Sequence, residues 1–141
     1  MTEDDIRALR GQLNAVQRRL RRETGGGPVS RTGRQVLFAI ARAGVPVTPS
    51  ELTTELQMTS SNVAASLREL EDAQLITRDR DTTDGRRVLL RTTPDGDRAV
   101  DEHRRGKDAW LGQAIDATLS AEEQAILIHA GTLLQRLADR P

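Results

Sequence analysis

The sequence predicts a mainly α-helical fold with one small β-hairpin, and three observations carry that prediction. Apolar residues recur at heptad spacing near both ends, at Ile6, Leu9, Leu13, Val16 and Leu20 and again at Ile126, Leu127, Ala130, Leu133, Leu134 and Leu137. Two short capped helices in the middle are separated only by Gln57-Met58-Thr59. Two β-rich runs follow, Leu75–Arg78 and Val88–Thr92, around a polar tip that contains the turn dipeptide Asp84-Gly85.

Each element has a local cause. The first helix covers about 4–22 and stops at Gly25-Gly26-Gly27-Pro28, a flexible connector rather than a phosphate loop, since no Lys-Ser/Thr follows and no strand precedes it. Ser30 caps a second helix over 31–43 that turns Val36, Leu37, Ile40 and Ala41 inward and ends at Gly44. Thr48, Pro49 and Glu51 form a capping box with proline at the first helical position, opening a short helix over 49–56. A fourth helix over 60–73, capped by Thr59 or Ser60, buries Val63, Leu67 and Leu70. Two helices joined by a three-residue turn, followed directly by a hairpin, make a winged helix-turn-helix. Thr93-Pro94 opens a fifth helix to about 117, and the box Ser120-Ala121-Glu122-Glu123 opens the last. The organisation expected is an N-terminal dimerisation helix and linker (1–30), a winged helix-turn-helix (31–93) and C-terminal dimerisation helices (94–141).

Composition removes whole classes of function. With no cysteine among 141 residues, disulfides, thiolate zinc sites, iron–sulfur clusters and thiol redox sensing are excluded. The two histidines, His103 and His129, stand in no metal or catalytic spacing, so neither a metal nor a cofactor is expected. Phe38 and Trp110 are the only aromatic rings besides the histidines, too few for a surface that stacks single-stranded bases. No apolar run approaches the roughly 20 residues of a membrane span, and the acidic start Met1–Asp5 is no secretory signal, which points to the cytoplasm. No nucleophile, base and orienting acid are suggested together, so an enzyme is not expected.

Formal charge is zero but unevenly spread: residues 1–30 carry six Arg against four acids, 31–93 nine Arg against eight, and 94–141 six bases against nine. Of the 21 basic residues, 20 are Arg, the planar donor suited to phosphates and base edges.

Asp84-Gly85-Arg86, Leu90, Thr93 and Gly96 fall at the spacing of the Asp-x-Arg wing and the Leu/Val-x-Leu-Thr-x-x-Gly sequence of the MarR family of bacterial transcriptional regulators, which the chain resembles along nearly its whole length. Thr92 replaces the leucine usual before the threonine. The resemblance implies a homodimer built on the first, fifth and last helices, each protomer offering a winged helix to duplex DNA. It also implies that the wing aspartate braces the hairpin while a neighbouring arginine enters the minor groove.

Stepping 100° per residue around the fourth helix from Leu67 places Ser61, Asn62, Ala65 and Glu69 outward, with Ser66 and Arg68 on the flanks. Small hydroxyls and an amide let a helix approach base edges, and its N-terminus favours phosphate. Ser60, Ser61, Asn62, Ser66 and Arg68 are therefore candidate DNA contacts; Arg68 suits a bidentate guanine contact, and capping alone is the rival reading of the first-turn residues. In the wing, Arg86 and Arg87 are the other candidates, with Asp84 as brace through an ion pair to Arg86, leaving Arg87 the freer. Arg31, Arg34, Arg78, Arg80 and Arg91 are weaker candidates for backbone contacts or for surface pairs. Family members often bind small, frequently aromatic acids beside the fifth helix, so Trp110 and Phe38 are candidates for an effector pocket; core or dimer packing is the rival reading for Trp110. His103 and His129 read as ordinary helix residues, and Arg104-Arg105 as a solvated face.

The function expected is a sequence-specific, double-stranded DNA-binding regulator, a homodimeric repressor that responds to a small molecule. The alternative is a winged helix used for protein interaction without DNA, toward which Glu69 and Asp72 lean and from which Arg68, Arg86 and Arg87 lean away.

Overall fold

The computed structural model describes residues 1–140. The elements, in chain order, are α1 (Glu3–Glu23), α2 (Arg31–Ala43), α3 (Pro49–Leu56), α4 (Ser60–Asp72), β1 (Ile76–Arg80), β2 (Val88–Thr92), α5 (Pro94–Thr118) and α6 (Ala121–Ala138). The helix bounds agree with those read from periodicity and caps to within a residue, and β1 runs two residues further toward the wing tip.

The caps explain the agreement. Ser30 Oγ accepts the Gly33 N–H at 3.0 Å, and Gly44 ends α2 with φ 65° in the left-handed region. Reciprocal capping boxes open α3 (Thr48 with Glu51) and α6 (Ser120 with Glu123). Thr59, not Ser60, caps α4, accepting the Asn62 N–H at 3.2 Å. The turn between α3 and α4 contains Gln57 at φ 52°, an uncommon posture for a residue with a Cβ.

The described residues divide into two compact units, residues 21–105 and residues 1–20 with 106–140. In the first, α2, α3, α4, the hairpin and the start of α5 share one core, with Leu37, Leu52, Leu67, Leu70 and Leu90 fully buried. Strands β1 and β2 pair antiparallel, Ile76 opposite Thr92 and Arg80 opposite Val88. Val47 adds a single antiparallel bridge to Leu90, its N–H and C=O bonded at 3.2 and 2.8 Å. No sequence signal marks this bridge, because one residue between Pro46 and Thr48 carries no period.

Thr93 joins the wing to α5. Its N–H donates to Leu75 C=O (3.0 Å), its hydroxyl donates to Gln74 C=O (2.7 Å), and its Oγ accepts the Gly96 N–H (3.0 Å). Gly96 is needed there because a Cβ would stand 2.1 Å from the Leu75 carbonyl oxygen.

In the second unit, neither α1 nor α6 buries a single residue. Val16, Ile126 and Leu137 are 50%, 68% and 60% exposed, so this chain alone does not cover its heptad stripes.

Candidate nucleic-acid interface

Two parts of the 21–105 unit present the polar groups singled out from the sequence. The first is α4. Its apolar side packs against α2 and α3, leaving Ser60, Ser61, Asn62, Ala65 and Arg68 exposed. Arg68 has no ion pair among the described residues. Ser66, expected on a flank, is instead buried at 4% exposure. A single-helix projection assumes one packing direction, whereas α4 packs against two helices and its buried face widens.

Glu69 departs further from the outward position expected. Its carboxylate accepts both the backbone N–H and the hydroxyl of Ser30, at 2.5 and 2.7 Å, across 39 residues of sequence. The Ser30 N–H, then its hydroxyl, hold the Glu69 carboxyl below the usual carboxylate range; desolvation opposes them and Arg34 adds a smaller favourable charge.

The second part is the wing. Asp81 and Arg87 close it: the Asp81 N–H donates to Arg87 C=O at 2.9 Å, and their side chains lie 3.6 Å apart. Asp81 Oδ1 also accepts the hydroxyl and N–H of Thr83 at 2.7 and 3.0 Å; with Arg87 as a lesser contributor, these bonds lower its pKa. Asp84 braces the tip through backbone bonds, its carboxylate taking the Arg86 N–H at 3.1 Å and its carbonyl the Arg87 N–H at 3.0 Å. The ion pair expected between Asp84 and Arg86 does not form. Arg86 is exposed without an ion pair among the described residues, and Arg87 is the tethered one. The reversal arises because hairpin pairing sets Asp81 across from Arg87, a relation adjacency in sequence does not reveal.

The weaker arginine candidates also divide. Arg34 donates to Gly26 C=O (3.1 Å) and Val29 C=O (2.8 Å), pinning the glycine linker. Arg78 makes a two-pronged pair with Glu71 at 2.9 and 3.2 Å, and Arg80 reaches Gly85 C=O at 3.3 Å. Arg31 and Arg91 are exposed and unpaired among the described residues. A groove of about 330 Å³ that the sequence does not announce lies between α3, α4 and β1, where Ser50, Thr53 and Thr54 join Ser60 and Arg78. Its only sequence signal is the run of hydroxyls on α3.

Phe38 lines a cavity of about 360 Å³ within the 21–105 unit, together with Arg34, Leu75, Glu102 and His103. The rings of Phe38 and His103 are 4.9 Å apart and tilted by 48°. Trp110 is not among the lining residues. His103, read from sequence as an ordinary helix residue, lies three positions after buried Val100, which is the signal that places it at the cavity. No helix among the described residues is long and apolar enough to cross a membrane.

Two capped helices, a three-residue turn and a braced hairpin with an exposed arginine define a winged helix-turn-helix protein. A model of the MarR family matches residues 29–87. A Pseudomonas aeruginosa protein described as a transcriptional regulator is 41% identical, with 100% of both chains covered and a TM-score of 0.88. An HTH-type transcriptional regulator of Mycobacterium bovis is 29% identical over 124 residues, covering 88% of this chain and 85% of the relative. Streptococcus pneumoniae FabT, solved in complex with DNA, is 27% identical, covers 98% of each chain and has a TM-score of 0.67. The chain belongs to the MarR family of transcriptional regulators.

Proposed function

We propose that the protein is a homodimeric repressor that grips a pseudo-palindromic duplex operator with α4 and the wing. The observation that carries this reading is the exposed side of α4. Small side chains at Ser61, Asn62 and Ala65 leave room for close approach, and Arg68 stands beside them with its guanidinium unpaired among the described residues. Asn62 suits adenine, Arg68 suits guanine, and Ser60 suits a phosphate at the helix N-terminus. Arg86 supplies a free guanidinium at the wing, the group a narrow minor groove attracts. FabT in complex with DNA supports the same use of this fold.

The uncovered stripes of α1 and α6 support pairing of two copies, with residues 1–30 and 94–141 as the dimerisation parts and 31–93 as the DNA-binding part. The Phe38 cavity is of a size for a small ligand, with Arg34 and His103 as polar groups to orient an anionic aromatic one. Filling it shifts the separation of the two α4 helices and releases the operator. Trp110 packs within the dimerisation part. The cytoplasm, where the chromosome lies, is the compartment this function requires.

Selection of bound fragments from random duplex DNA, followed by a salt titration, tests the reading. The expected result is an enriched site with two half-sites about one helical turn apart and an affinity that falls steeply with salt. No enrichment, with no salt dependence, overturns it in favour of a protein-interaction module.

A further inference from the structure

We propose that Glu69 is a positioning residue for DNA recognition, clasping the start of α2 so that α4 presents Asn62 and Arg68 in one orientation. The proposal rests on the DNA-binding reading above and names a residue that reading does not use.

Glu69 lies seven residues, two helical turns, after Asn62 and so shares its side of α4. A carboxylate on the side of a helix that meets a polyanion opposes binding, so its presence calls for another role. The structure supplies one. Both carboxylate oxygens are occupied by Ser30, one by its N–H and one by its hydroxyl, and Ser30 Oγ in turn caps α2 through Gly33. The fit is close: a Cβ at Gly33 would stand 2.6 Å from Glu69 Oε2 and 2.7 Å from Val29 Cγ1. One residue on, Arg34 holds the carbonyls of Gly26 and Val29. The linker, the first turn of α2 and the last turns of α4 are thereby tied at one point. Charge-assisted bonds of this kind restrict rotation of the helix about its axis, and a small rotation moves side-chain tips off the base edges they read.

Glu69→Gln separates this role from plain electrostatics, because the two predict opposite signs. Removing a negative charge beside DNA should tighten binding to every duplex. The clasp predicts about tenfold weaker binding to the selected site, the loss of one charge-assisted bond, with binding to scrambled duplex unchanged or stronger. Ser30→Gly alters no charge and keeps an acceptable cap, so it should also weaken the selected site alone. The double variant should be no worse than Glu69→Gln. The measurement is affinity for selected and scrambled duplex across salt concentrations, with a thermal melt of each variant. Equal or tighter binding of Glu69→Gln to the selected site overturns the proposal. So does a parallel loss on both duplexes with a lowered melting temperature, which marks a merely structural role. If Glu69→Gln does not fold, Ser30→Gly decides by the same criteria. If Arg68→Ala and Arg86→Ala lose affinity while Glu69→Gln does not, the clasp fails and the DNA-binding reading stands; a wild-type protein that enriches no fragment overturns both.

Discussion

The carboxylate of Asp81 and the guanidinium of Arg87 face each other at 3.6 Å across the mouth of the wing, above a backbone bond between the same two residues. The pair spends Arg87 on the shape of the hairpin and leaves Arg86 free. Arg86→Ala should therefore weaken binding to many duplexes and lower the salt slope by about one unit. Arg87→Ala should weaken binding by loosening the wing, with a smaller change in slope. Salt titrations of the two variants on one duplex check this, and a larger slope change for Arg87→Ala would contradict the pairing.

Arg68→Ala should act on specificity. Its loss is expected to cost about 1–3 kcal/mol on the best site and to relax preference at one position in each half-site. Repeating the fragment selection with the variant reads this directly. An unchanged consensus would remove Arg68 from the interface.

Two glycines should respond to alanine in opposite ways. At Gly96 a Cβ would stand 2.1 Å from the Leu75 carbonyl, which Thr93 already holds, so Gly96→Ala should cost about 1–3 kcal/mol despite alanine's better helix propensity. At Gly11, within α1, nothing lies within 4 Å, so Gly11→Ala should stabilise by about 0.5–1 kcal/mol. Denaturant unfolding of both variants is the check.

Acid should destabilise the protein through Glu69 and Asp81. Both have folded pKa values lowered by the bonds their carboxylates accept. Each therefore contributes stability that is fully present above the ordinary carboxylate pKa and lost as pH falls through the lowered folded value. Melting temperature should be level above about pH 5 and fall below about pH 4. Glu69→Gln should flatten part of that fall, and a melting curve unchanged in shape would show that the clasp carries no linkage.

The uncovered stripe of α1 should make the protein dimeric at micromolar concentration. Leu13→Glu places a charge in the middle of that stripe, 44% exposed in the single chain, and should shift sedimentation toward the monomer. A wild-type monomer with normal helix content would overturn the pairing.

The amino-acid sequence is enough to read the order, type and bounds of the helices, the wing, and the family. Heptad spacing, the capping boxes at Thr48 and Ser120 and the Asp-Gly turn are each written within a few neighbouring residues, and the backbone obeys them locally. It also marked the exposed groups of α4, since Ser61, Asn62 and Arg68 follow from helix period alone. Which polar group meets which is set by long-range packing. Ser66 is buried because α4 packs against two helices at once, Glu69 is turned to Ser30 39 residues away, and Arg87 rather than Arg86 is tied down because hairpin pairing brings Asp81 to it. The cavity beside Phe38 and the Val47 bridge belong to the same class. Partner choice among polar groups depends on distances set by the packed core, and no period or local cap encodes a distance between residues that only folding brings together.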